Sequence, residues 1–163
     1  LGGINIKRIY LLDTNIILTI WEKESNLLDV IESSALVDFK VTNDCFVELG
    51  HYVPDLDAFL NDPHIEQILR HSINNDVSSM LPSHKENRLT VKIENEIYSI
   101  VGNKVSATDY SLLVMCQNYS HLTLVTDDKR LLKNARRIVP PIQFLDLKGL
   151  ISDLEQLGIQ GQF

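Results

Sequence analysis

The 163-residue chain is poor in cysteine, in long apolar runs and in positive charge, and each shortage removes a class of function. Its two cysteines, Cys45 and Cys116, lie far apart and match no CxxC or metal-ligand spacing, so two buried thiols in a reducing compartment are expected. His51, His64, His71, His84 and His121 likewise show no zinc spacing. The longest apolar stretches, such as Ile16 to Trp21, fall far short of the roughly 20 residues that span a bilayer. No secretory leader is visible, and a cytoplasmic protein without membrane attachment is expected. Lys and Arg number 15 against 22 Asp and Glu, a net charge of −7. That balance argues against a generic basic groove holding nucleic acid by net charge, and leaves room for a local basic patch. Apolar residues at 44% and charged residues at 23% are ordinary for a folded protein. With no internal repeat or low-complexity tract, residues 1–163 are read as one domain.

What is present is an alternation of short apolar strands and helical stretches. Ile6 to Leu12 reads as a buried strand entering a polar turn, Asp13-Thr14-Asn15. Ile16 to Trp21 and Leu27 to Ser34 read as helices, and Leu36 to Val41 as a second strand. Thr42 suits the N-cap of a third helix through His51, whose apolar side carries Cys45, Phe46 and Leu49. Residues 55–82 look largely helical, with breaks near Asn61-Asp62-Pro63 and at Pro82. From Leu89 to Val101 the pattern divides. Leu89, Val91 and Ile93 alternate as in a strand, Ile93, Ile97 and Ile100 repeat as in a helix, and an irregular insertion is expected. The signal returns at Ser106 with a helix through Gln117, followed by a strand over Leu122 to Thr126. Asp127 and Asp128 then open a helix through Ala135, Arg137 to Val139 forms a short strand, and Leu150 to Leu157 a last helix. Such an order specifies an α/β domain with a mostly parallel sheet covered on both faces.

The acids fall at telling places. Asp13 ends the first strand, where open α/β sheets place ligands, although Asp there also suits a helix cap. Glu48 sits about 100° from the centre of the third helix's apolar face, on its flank. Asp109 follows Ser106 by three positions, as in a capping box, and an acid in a first helical turn can both cap and face a crevice. Asp127 and Asp128 follow another strand; adjacent acids repel, so one is expected to cap a helix and leave the other, Asp128, for a metal. Carboxylates converging on one side of the sheet would resist ionisation unless a divalent cation neutralised them. Oxygen-only clusters suit Mg²⁺ or Mn²⁺, and one or two such ions serve phosphoryl chemistry.

In this order the acids resemble the signature of the PIN-domain family of metal-dependent ribonucleases. Tyr10-Leu11-Leu12-Asp13-Thr14-Asn15 resembles its opening strand and Asp-Thr-Asn. Glu48 matches its helix-borne glutamate, and Asp109 in Ser106-Ala107-Thr108-Asp109 its third acid. Thr126-Asp127-Asp128 matches its closing Thr-x-Asp. The likeness covers most of residues 6–140. It implies a three-layer α/β/α domain with a parallel sheet of order 3-2-1-4-5, and metal-activated water attacking an RNA phosphodiester. It assigns Asp13, Glu48, Asp109 and Asp128 to the catalytic, metal-binding centre with one or two Mg²⁺ or Mn²⁺ ions, with Asp127 assisting or capping a helix. Thr14, Asn15 and Thr126 would orient carboxylates, bind water or satisfy turn amides. A homodimer is compatible with the resemblance, and the acidity admits a basic protein partner such as an antitoxin-like inhibitor. One departure is size: 60 residues separate Glu48 from Asp109, so residues 55–103 are read as an enlarged middle region.

Other readings fit less well. A haloacid-dehalogenase-like phosphatase needs a second acid two residues after Asp13, where Asn15 stands. A phosphoacceptor signalling domain needs a different acidic pair and a placed lysine. A non-catalytic PIN-like scaffold binding RNA or protein accounts for the enlarged middle region, but not for the retention of all four acids. Lys129, Arg130, Lys133, Arg136 and Arg137 put five cations in nine positions beyond the last acids. They read either as RNA-phosphate contacts, joined by Lys104, or as a solvated helix face.

Overall fold

A computed structural model describes residues 7–52, 55, 61–73, 90–94, 97–100, 103–119, 121–138 and 144–163. The first strand, β1 (Arg8–Leu12), carries three consecutive side chains, Tyr10, Leu11 and Leu12, with no exposure. Successive strand residues point to opposite faces, so both faces are covered and the sequence reads as a continuous apolar run. Parallel partners flank it on both sides: β2 (Val37–Thr42), with Leu11 opposite Lys40, and β7 (Leu122–Val125), with Leu12 opposite Val125. Two-residue parallel strands complete the edges, β3 (Ser72–Ile73) on β2 and β8 (Phe144–Leu145) on β7.

The resulting order, β3-β2-β1-β7-β8, is the expected 3-2-1-4-5 when the strands of this sheet are counted along the chain. Helices lie against both faces, giving a three-layer α/β/α, PIN-like fold. They are α1 (Thr14–Glu22), α2 (Leu27–Ser33), α3 (Asn43–Gly50), α4 (Pro63–Arg70), α5 (Ala107–Asn118), α6 (Lys129–Ile138) and α7 (Leu147–Gln156). Helix α3 packs between α1 and α5, and α6 packs on α5. Several of these starts have a chemical cause. Thr42, Asp62, Ser106 and Asp146 accept bonds from first-turn amides of α3, α4, α5 and α7, and Pro63 needs no partner for an amide it lacks. Asp153 of α7 meets Arg8 at 2.6 Å and the Tyr10 hydroxyl at 2.5 Å, pinning the last helix to β1. Both cysteines are buried and free, and burial pushes each thiol up to about 12. No helix among the described residues is long and apolar enough to cross a membrane.

Three expectations change. Where an irregular insertion was expected, β4 (Thr90–Glu94), β5 (Ile97–Ile100) and β6 (Asn103–Ser106) form an antiparallel meander, with Tyr98 opposite both Lys92 and Val105. The two-residue alternation, satisfied by cross-strand pairing, prevails over the coincidental helical repeat. No strand forms over Arg137 and Ile138, because α6 continues through them, and the sheet gains Phe144–Leu145 instead. The last helix starts at Leu147, three residues before Leu150, because Asp146 caps it there. Of the largely helical stretch 55–82, residues 63–70 are helical and Ser72–Ile73 are a strand; most of the remainder lies outside the described residues.

Candidate metal centre

The carboxyl ends of the central strands deliver the acids to one edge of the sheet. Strand pairing continues one residue past β1 and β7: the Asp13 N–H donates to the Val125 carbonyl (3.0 Å) and the Thr126 N–H to the Leu145 carbonyl (2.9 Å). Asp13 and Thr126 are thereby fixed side by side. The Asp13 carboxylate accepts from the Thr14 amide through Oδ1 (2.8 Å) and from the Thr126 hydroxyl through Oδ2 (2.7 Å). Having given its one proton to Asp13, the Thr126 oxygen accepts from the Asp128 N–H at 3.1 Å. A buried threonine therefore couples the positions of two of the four acids.

Asp109 and Glu48 arrive on helices. Ser106 ends β6 and caps α5, its hydroxyl accepting the Asp109 N–H at 3.1 Å, so the meander sets where Asp109 enters. Glu48 is half-buried on α3, the helix between α1 and α5, as its flank position implied. The charges act on one another. Burial is the main cause that pushes the Asp109 carboxyl up to about 7, followed by the charges of Asp13, Asp128 and Glu48; Ser106 opposes the rise. Asp13 is also raised, first by burial and then by Glu48 and Asp128, against the hydrogen bonds from Thr126 and Thr14. Four carboxylates, on two helices and just past two strand ends, thus share one electrostatic neighbourhood. No described Lys, Arg or His forms an ion pair with any of them.

The adjacent pair Asp127–Asp128 divides differently from the expectation that capping would release Asp128. Asp128 itself caps α6, its Oδ1 accepting from Arg130 (2.9 Å) and Leu131 (3.2 Å). Asp127 is exposed and its Oδ1 accepts the Leu147 N–H at 3.0 Å, at the start of α7 rather than of the following helix. Thr14 is buried; its hydroxyl meets no oxygen or nitrogen partner and has the Cys45 thiol as a polar neighbour. The Asn15 side chain is exposed. Lys129, Arg130, Lys133 and Arg136 are all exposed on α6, opposite the buried Leu131 and Ala135. The side chains of Lys104 and Arg137, and His84, lie outside the described residues. The cap made by Asp127 is not legible in the sequence, since its partner stands 20 positions away, at the start of a helix that the apolar pattern marks only from Leu150.

The donor set suits a hard divalent cation in its chemistry: carboxylate oxygens, two of them raised first by burial and then by their acidic neighbours, with no compensating cation among the described residues. It is not closed. Among the described residues no three His, Cys, Asp or Glu side chains converge tightly enough to hold a metal ion as they stand.

No protein-family profile matches the sequence, and no curated protein matches it either. Among solved structures, the PIN domain endonuclease Utp24 aligns over 85% of this chain and 84% of its own, with 16% identity and a TM-score of 0.45. That distant likeness carries no weight on activity; the fold assignment rests on the sheet order and layers.

Proposed function

We propose that the protein is a Mg²⁺- or Mn²⁺-dependent endoribonuclease whose centre is formed by Asp13, Glu48, Asp109 and Asp128. The observation that carries the reading is the gathering of these carboxylates, where burial first and then the charges of Asp13, Asp128 and Glu48 push Asp109 up to about 7 with no described cation to relieve it. Folding such a group together costs free energy, and a site that binds divalent cations recovers it. Asp13 is the anchor: Thr14 and Thr126 hold its two oxygens in one orientation, which leaves the remaining lone pairs directed by the fold. Asp128 presents Oδ2 while Oδ1 is occupied by α6 amides. Asp109 and Glu48 supply the helix-borne oxygens. One or two bound ions would lower the pKa of water and stabilise charge on the phosphoryl oxygens. RNA as the substrate follows from the family resemblance of the acidic signature.

The test is cleavage of single-stranded and structured RNA by the purified protein, with Asp13→Asn and Asp109→Asn beside it. Cutting that requires Mg²⁺ or Mn²⁺ and is lost in both variants is the expected result. Metal-dependent cutting that persists undiminished in both would remove the assigned centre, and no cutting by the unaltered protein would favour a binding scaffold.

A further inference from the structure

A cleft between α6 and the start of α7 is lined by Asp127, Lys129, Leu132, Arg136 and Asp146. Asp127 precedes Asp128 in the chain, so the cleft adjoins in sequence the strand end that carries one acid of the centre. Its acids are already engaged: Asp127 accepts from the Leu147 amide and Asp146 from the Gly149 amide at 2.7 Å. Its cations are not. Arg8, Lys40 and Arg70 each sit in an ion pair, whereas Lys129 and Arg136 form none among the described residues. The Arg136 guanidinium carbon stands 5.8 Å above the Phe144 ring. A planar cation resting on an aromatic face keeps its N–H edge for a further acceptor, and phosphate suits that fork.

We propose that this cleft receives a backbone phosphate of the RNA strand flanking the bond to be cut, with Lys129 and Arg136 as its contacts. The inference rests on the ribonuclease reading and adds to it the path along which the strand leaves the acidic centre. Phosphate contacts set register without reading bases, so the cleft governs where the strand lies and not which sequence is cut. A local pair of cations also resolves how a chain of net charge −7 can hold a polyanion.

The experiment uses the 163-residue chain carrying Asp13→Asn and Asp109→Asn, so that RNA is bound and not consumed. Binding of a fluorescent single-stranded RNA is followed by anisotropy in Mg²⁺ across a salt series. Into that background go Lys129→Gln with Arg136→Gln, or, as an equal change of charge elsewhere, Lys7→Gln with Lys23→Gln, both exposed. The cleft pair should weaken binding by about tenfold and reduce the slope of log affinity against log salt by about 0.7, the value for one lost phosphate contact on a single strand. The control pair should change neither by more than about twofold in affinity. Equal effects from both pairs, or no effect from the cleft pair, would overturn the inference. The two readings fail separately. Cleavage by the unaltered chain with no dependence on the cleft retires the cleft alone, and cleft-dependent binding without cleavage retires the nuclease alone.

Discussion

Acidic side chains gather at two places in this molecule, and the two gatherings have opposite character. Beside α2, β2 and α4, Glu32 is met by Arg70 at 3.0 Å and by His71 Nε2 at 2.5 Å, Asp29 by Gln67 at 2.8 Å, and Asp38 by Lys40 at 3.4 Å. Desolvation pushes Glu32 up, but the bonds from Arg70 and His71 outweigh it and the carboxyl ends below its usual range. Near the carboxyl ends of β1 and β7, the Asp13 and Asp128 carboxylates accept from hydroxyls or amides, the four acids act on one another through their charges, and both Asp13 and Asp109 are raised, chiefly by burial. The first arrangement is complete as it stands and ties helices to the sheet. The second is without a cation among the described residues, and under the proposed reading a divalent metal completes it.

The contrast is broken most decisively by activity. Asp13→Asn or Asp109→Asn should lower the metal-dependent cleavage rate by on the order of 100-fold or more, the scale for losing one preorganised electrostatic contact. Loss of an acid from the paired group should leave the rate within about twofold. Metal removal comes next in size. Saturating Mg²⁺ or Mn²⁺ should stabilise the folded protein by ~2.7 kcal/mol at a hundred times its Kd, and a chelator should reverse this. Thermal melts with and without chelator check it, and a midpoint insensitive to both ions would count against the centre.

Without metal the same acids should oppose folding. Asp109→Asn is expected to raise the melting temperature of the chelated protein by a few degrees, about 1 kcal/mol for a domain of this size. The pH dependence has a definite sign. Asp109 ionises near 3.8 in the unfolded chain and near 7 when folded, so across that window the native state holds a proton the unfolded chain has released. Its contribution to stability therefore falls as pH rises from about 4 to 7 and is level above that. Glu32 acts in reverse: its contribution is complete above its unfolded value of 4.5 and is lost as pH falls through its lowered folded value. Urea unfolding in chelator at pH 5 and pH 7.5 should show a shallower loss of stability for Asp109→Asn than for the parent chain, and identical slopes would refute the crowding.

How far these features could be read beforehand depends on how local their causes are. The buried strand β1 announces itself in Tyr10-Leu11-Leu12, and Thr42 and Ser106 announce the caps of α3 and α5, because each signal lies within a few residues. The four acids could be placed in order on strand ends and helices for the same reason. What was not legible depends on distant partners. The two-residue strands Ser72–Ile73 and Phe144–Leu145 exist because β2 and β7 offer open edges, and two residues carry no periodicity of their own. The meander over 90–106 was hidden by Ile93, which belongs equally to a two-residue and a helical repeat until its neighbours are known. The division of work between Asp127 and Asp128 could not be read from two adjacent aspartates, since α7 decides it from across the fold.

The smallest effect tests the other half of the comparison. Glu32→Gln keeps the shape of the side chain and removes the charge that Arg70 and His71 face. Arg70 is largely exposed, so its share is that of a surface ion pair, screened by solvent and salt. His71 is better shielded: its ring stacks on Phe39 with centroids 3.9 Å apart, and its Nδ1 also reaches the Phe39 carbonyl at 3.0 Å. The variant should lose about 0.5–1 kcal/mol near neutral pH, part of it recovered by neither salt nor metal, and its cleavage rate should stay that of the parent. A melting temperature that rises on Glu32→Gln, as it should on Asp109→Asn, would mean that both acidic groups are frustrated, and the distinction between a structural and a functional cluster would fall.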